Sequence, residues 1–202
     1  MSYCAMTPDL FLALAAFALV SVITPGPNNL MLMASGANFG LRRSIPHMMG
    51  IGLGFPAMVV MVGLGVMQLF EAWPLARQVL TAVSVVYMLW LAWKIAHAAA
   101  PGEDGAAGRP LTFLQAAAFQ WVNPKAWSMA LGAITLYAAG RDLGAILWVA
   151  GTYVAMSVLS TTTWTVMGRG LRRVLASPRN LRIFNWVMAG LLVASLAAVM
   201  LG

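Results

Sequence analysis

The sequence predicts an all-α integral membrane protein of six transmembrane helices, in two inverted three-helix repeats with helices 1 and 4 broken. Three observations carry this. Hydrophobic residues make up 61% of the chain and charged residues only 8%, at a mean hydropathy of +0.84. Soluble domains hold roughly 25% charged residues. Six apolar runs approach or exceed the length of about 20 residues that a membrane-crossing helix needs. Two of them, the first and the fourth, are interrupted by polar, proline-containing motifs in corresponding places of the two halves.

The first run, Asp9–Ser35, has no Lys or Arg before it. A cleaved signal peptide needs a basic start, so the run reads as a retained span. It contains Thr24-Pro25-Gly26-Pro27-Asn28-Asn29. Each proline lacks an N–H and clashes with the preceding turn, and glycine allows sharp backbone angles. The helix must stop near Ile23 and restart near Asn28, with Asn28 as a good N-cap. A restart leaves free N–H groups and the positive end of a helix dipole, which attract anions.

Gly40-Leu41-Arg42-Arg43 then reads as a loop. The second run, Met48–Phe70, carries Gly50 and Gly54, a spacing that favours close helix packing. Glu71 to Pro74 separates it from the third run, Val79–His97. Pro101-Gly102-Glu103-Asp104-Gly105 marks the midpoint, dividing a first repeat (residues 1–100) from a second (101–202) within one membrane domain.

The fourth run, Leu111–Ala139, is broken by Asn123-Pro124-Lys125. Lys125 falls near its centre, where a charge costs at least about 2.5–3.5 kcal/mol and usually serves function. Its ammonium could pair with a substrate carboxylate or carry a coupled proton, with Gln120 and Asn123 as neighbours. The fifth run, Leu143–Met167, places Ser157, Thr161 and Thr165 on one face. Such hydroxyls more often bond back to the carbonyl one turn earlier than line a path. A basic segment, Arg169 to Arg182, precedes the sixth run, Phe184–Gly202.

Only helices and closed barrels satisfy every backbone polar group in lipid, and these runs are too continuously apolar for barrel strands. The net charge of +7 is concentrated in loops. Arg42, Arg43, Lys94, Arg109, Arg169, Arg172, Arg173, Arg179 and Arg182 follow spans 1, 3 and 5, whereas only Arg77 and Arg141 fall on the other side. The inside rule then puts the first set in the cytoplasm and both termini outside. That distribution is read as setting orientation in the membrane and not as a nucleic-acid site; binding of anionic membrane lipid by the basic segment is the alternative. Trp90, Trp93, Trp164 and Trp186 lie near the same ends, as an aromatic belt does, and His47 and His97 are expected to be solvated there.

Phe11-Leu12 with Ala15-Ala16-Phe17 reappears as Phe113-Leu114 with Ala117-Ala118-Phe119, each followed by a proline break. Gly40-Leu41-Arg42 is echoed by Gly140-Arg141. Three spans per half is an odd number, so the second half inserts upside down, the arrangement of many secondary transporters, whose sites lie at broken helices. The expected substrate-binding residues are Asn28, Asn29, Asn123 and Lys125, with Thr24, Pro25, Gly26, Pro27 and Pro124 as breaking and gating positions. Cys4 is the lone cysteine, which rules out a two-cysteine redox pair. No cluster has metal-ligand spacing, and no nucleotide-binding loop is present. Neither a cofactor nor an enzymatic activity is expected. A metal-ion or other small-solute exporter or channel, and a membrane scaffold, are the alternatives in other classes.

Taken with Arg42-Arg43, the pair formed by Thr24 to Asn29 and Asn123-Pro124-Lys125-Ala126 resembles the LysE/RhtB family of bacterial amino-acid exporters over essentially the whole chain. Asn28-Asn29 stands where many members have an acidic residue. That variant, with Leu91-Ala92-Trp93-Lys94-Ile95-Ala96, looks most like the cysteine/O-acetylserine exporter branch. The resemblance implies efflux of small amino acids or derivatives through the bacterial inner membrane, coupled to protons, and leaves room for a homo-oligomer. Asp9 is the weak substitute for the missing acid.

Overall fold

The computed structural model describes residues 7–66, 68, 72–97, 109–138, 142–171 and 174–201. Cys4, Glu71, the midpoint motif 101–105, Gly140, Arg141, Arg172, Arg173 and Gly202 lie outside the described residues, as does the side chain of Arg77. Among those described, the chain is helical: α1 (Pro8–Ile23), α2 (Pro27–Gly63), α3 (Pro74–Ala96), α4 (Phe113–Val122), α5 (Pro124–Tyr137), α6 (Leu143–Leu171) and α7 (Pro178–Leu201), with a short 3-10 turn at Val174–Ala176. Among the described residues, three segments are long and apolar enough to cross a membrane: Pro27–Gly63, Gln78–Ala96 and Leu143–Leu171.

α1 begins at a Thr7 cap, whose hydroxyl accepts from the Leu10 N–H, with Pro8 and Asp9 in its first turn. It ends where Pro25 and Pro27 remove the donors a further turn would need. α4 has a capping box: the Thr112 hydroxyl accepts from the Gln115 N–H, and the Gln115 side chain accepts from the Thr112 N–H. It ends at Asn123, whose side chain accepts from the Lys125 N–H and so caps the start of α5.

α2 is not one rod. At 37 residues and about 1.5 Å per residue, it would overshoot a hydrocarbon core of about 30 Å. It turns back on itself at Gly40, the one position inside it with non-helical angles (φ 76°, ψ 173°). The Ser35 and Ser44 hydroxyls meet at 2.7 Å, although nine positions along a straight helix would separate them by about 13 Å. The expected loop at 40–43 is therefore a tight turn. Arg42 and Arg43 belong to the returning arm, which starts well before Met48. The reason is local: a glycine takes positive φ without penalty, so no longer connection is required.

Two apolar clusters fill the interior. One joins Leu14, Ala18 and Val22 of α1 to Ala126, Ala130 and Ala133 of α5 and Ile146, Val149 and Tyr153 of α6. The other joins Met31 and Leu32 of α2 to Ala116 and Phe119 of α4, Trp164 of α6, and Leu91 and Leu192. The first broken span therefore passes from one cluster to the other, and the second broken span passes back. Both breaks lie at the boundary. Gly50 and Gly54 bear out the close packing read from their spacing. A Cβ at Gly50 would lie 2.4 Å from the Phe113 carbonyl oxygen, and one at Gly54 would lie 2.6 Å from the Ala117 Cα.

Two side-chain expectations are corrected. His47 is buried, 2% exposed, because the returning arm begins at Leu41 and carries it inside the bundle. Trp164 is also buried and donates its Nε1–H to the Ile23 carbonyl at 3.1 Å. The freed carbonyls of α1 offer the indole a partner that a belt position would not. His97, Trp90, Trp93 and Trp186 are exposed.

Candidate functional site

The end of α1 sets the problem. A helix terminus leaves its last carbonyls without intrahelical partners, and in an apolar interior each orphan costs on the order of 1–3 kcal/mol. Here the carbonyls are met from other elements. Val22 receives the Asn29 amide at 2.7 Å and the Ser160 hydroxyl at 2.8 Å. Ile23 receives the Trp164 indole. Thr24 receives the Asn29 amide at 2.9 Å and the Lys125 Nζ at 2.6 Å. Pro25 lies 3.4 Å from the same Nζ.

Lys125 thus joins the two breaks. It stands in the first turn of α5, where the helix dipole disfavours a cation. Its side chain crosses to the negative end of α1, where the dipole and two carbonyls favour one. Gly26 supplies the room: a Cβ there would lie 2.7 Å from the Lys125 Cδ and 3.0 Å from its Nζ. Its backbone is extended (φ −176°, ψ 179°), a conformation open to any residue. The glycine answers close approach and not the sharp angle expected of it.

α2 restarts at Pro27, with Gly26 as its cap and no side-chain capping bond. Proline suits the first helical position, so the restart comes one residue earlier than expected. Asn28 is not the cap; its amide exchanges two hydrogen bonds with Gln120 of α4, at 2.8 and 3.1 Å. Asn29 is buried against the α1 carbonyls. Thr24 and Pro25 are exposed, whereas Gly26 and Pro27 are buried.

Between the breaks lies a cavity of about 30 Å³ lined by Asn28, Asn29, Asn123, Lys125, Ser157 and Ser160, among others. That is room for about two waters and not for an amino acid. On the side of α1, the Ser21 hydroxyl and the Tyr153 hydroxyl meet at 3.2 Å, and Tyr153 packs edge-on against Phe55. The structure brings Asn28, Asn29, Asn123 and Lys125 to one cavity. Pro124 lies in the same break, at the first position of α5. Ser160 and Trp164 are the contributors that the sequence reading missed. The signal was the spacing Ser157, Ser160, Trp164, which lies on one helix face. Of the hydroxyls on α6, Thr165 bonds back to the Thr161 carbonyl at 2.7 Å, as expected, and Thr161 to the Val158 carbonyl at 3.3 Å, while Ser157 and Thr161 also line the cavity.

The sequence profile of the LysE type translocator family matches residues 19–202, which spans both breaks. The chain belongs to the LysE-type translocator family. Among its relatives, proteins named cysteine/O-acetylserine efflux protein from Escherichia coli O9:H4 (strain HS), Escherichia coli (strain K12) and Shigella sonnei (strain Ss046) are each 31% identical to this LysE-type chain over 191 residues. The match covers 93% of this chain and 96% of theirs. No solved structure matches it. The family is one of membrane translocators, so transport rather than catalysis is the activity to be explained.

Proposed function

We propose that the chain exports small amino acids or their derivatives, of the cysteine and O-acetylserine class, from the cytoplasm across the bacterial inner membrane. The observation that carries this is the meeting of two broken helices around Lys125, beside a small cavity lined by Asn28, Asn29, Asn123 and Ser160. The names of the relatives supply the substrate class.

In this reading the chain crosses the membrane six times, as two inverted halves divided near residue 100, with both termini outside. The opposite passage of the two broken spans between the apolar clusters supports the inversion. Asn28, Asn29, Asn123 and Lys125 hold substrate, and the segment Thr24 to Pro27 with Pro124 provides the hinge. A zwitterion presents a carboxylate to Lys125 and an ammonium to the carbonyls that Lys125 now holds. Substrate can thereby take over both sides of the Lys125 contact as the cavity opens. A proton is the proposed coupling ion. The halves then rock to expose the site alternately.

The test is export of labelled cysteine, O-acetylserine, threonine, homoserine, leucine and lysine from cells expressing wild type or Lys125→Met. The expected outcome is export of the first two compounds, reduced at least tenfold in the variant at equal membrane abundance. Undiminished export in Lys125→Met removes Lys125 from the mechanism, and no export of any compound by wild type overturns the reading.

A further inference from the structure

A second cavity lies toward the Gly40 turn. Asn28, Met31, Ser35 and Asn38 recur along one face of α2, leading from the break toward that turn. The first lines the small cavity already described; the other three line a separate one of about 220 Å³. This second cavity is bordered by the last turns of α3 and by residues 109–111. Met31 on one side and Ile51 on the other belong to a single apolar cluster with Phe119, which separates the two spaces.

The lining of the larger cavity is chemically one-sided. Among the described residues it includes Lys94 and Arg109 and no carboxylate. It also includes His47, 2% exposed, neither of whose ring nitrogens has a hydrogen-bond partner, and Asn38, whose Oδ1 has none either. Buried polar groups are nearly always satisfied, so unpaired atoms on a cavity wall point to a guest. The orientation of Asn38 is fixed, because its Nδ2 already donates to the Ala34 carbonyl at 2.8 Å and to Asn185 Oδ1 at 3.2 Å. Its free atom is therefore an acceptor.

We propose that this cavity is a reception site for a small zwitterionic amino acid with an uncharged side chain, ahead of the break. Lys94 and Arg109 supply charge to the carboxylate, His47 donates a hydrogen bond to it, and Asn38 Oδ1 accepts from the ammonium. An amino acid with a basic side chain would bring a second cation among the two already there, so the cavity discriminates against lysine and arginine. Its place on an export path rests on the exporter reading; the binding does not.

The experiment measures ligand-induced quenching of tryptophan fluorescence in the full-length protein in phosphatidylcholine nanodiscs. Trp90 carries the Lys94 ammonium 5.2 Å from its ring centre, and the Trp93 ring lies 4.9 Å from that of His97, so two reporters flank the cavity. The probes are O-acetylserine, its methyl ester and lysine. The expected result is saturable quenching by O-acetylserine, with the ester and lysine at least tenfold weaker. Lys94→Gln/Arg109→Gln should raise the apparent Kd at least tenfold. Lys94 and Arg109 are exposed, so the double variant should fold, and a His47→Gln variant tests the hydrogen bond independently. Binding unchanged in the double variant overturns the proposal. So does equal binding of lysine, or quenching that responds to phosphatidylglycerol in the disc and not to O-acetylserine. Retained O-acetylserine binding in a protein that exports nothing would support the cavity while refuting the exporter reading.

Discussion

Lys125 shows how one side chain solves two local problems at once. Its charge would be unfavourable at the start of α5 and is favourable at the end of α1, a few ångströms away. Trp164 serves the same terminus without charge. Trp164→Phe keeps the ring and leaves the Ile23 carbonyl unmet, so it should cost about 1–3 kcal/mol, read as a lower unfolding temperature in detergent. Gly26→Ala separates position from presence. Its extended backbone accepts alanine, so stability should change little, but Lys125 must move and export should fall severalfold at equal membrane abundance. Unchanged export would mean that the position of Lys125 does not matter. The sequence made the break legible at this scale, because proline removes a donor wherever it stands. The partners of the released carbonyls were not legible. Ser160 and Trp164 reach Val22 and Ile23 from more than a hundred residues away, and only tertiary packing sets that.

Helix approach depends on a few small residues. A Cβ at Gly36 would lie 2.1 Å from the Thr165 carbonyl oxygen, and one at Gly168 would lie 2.0 Å from the Met33 carbonyl oxygen. α2 and α6 therefore cross backbone to backbone, as small residues permit between membrane helices. Gly36→Ala and Gly168→Ala should each destabilise by about 1–3 kcal/mol, the usual cost of overpacking. Gly151→Ala, with nothing within 4 Å of its added carbon, should be neutral or stabilising by up to about 1 kcal/mol. Thermal unfolding of the three variants side by side decides this; equal shifts would contradict the crossing. Helix type was readable from apolar length, and the GxxxG pair from its spacing. The start of the returning arm was not, because Leu41 to His47 mixes arginines, a serine and a proline and reads as a connection until the Gly40 turn is seen.

At the scale of the molecule, the cavity at the breaks holds about 30 Å³, too little for an amino acid, so transport through it requires the bundle to open. Phe17 of α1 and Tyr137 of α5 have ring centroids 5.7 Å apart, at the end of the bundle away from Gly40. In a Cys4→Ser background, Phe17→Cys with Tyr137→Cys, joined by a cleavable thiol cross-linker, should arrest export, and cleavage should restore it. Export that continues while cross-linked would show that α1 and α5 stay together throughout. The membrane class was legible from composition alone, whereas the opposite passage of the two broken spans emerged only from which halves share a cluster. One consequence concerns the turn at Gly40. Asn28 and Ile51 face one cavity, and Ser35 and Ser44 touch, so each pair is nearly equidistant from residue 40. The connection therefore acts as a length standard. A single inserted residue would rotate the whole returning arm by about 100°, carrying Ile51 and His47 off their walls together. Across related chains, loops elsewhere can grow or shrink, but this corner should keep its length to the residue.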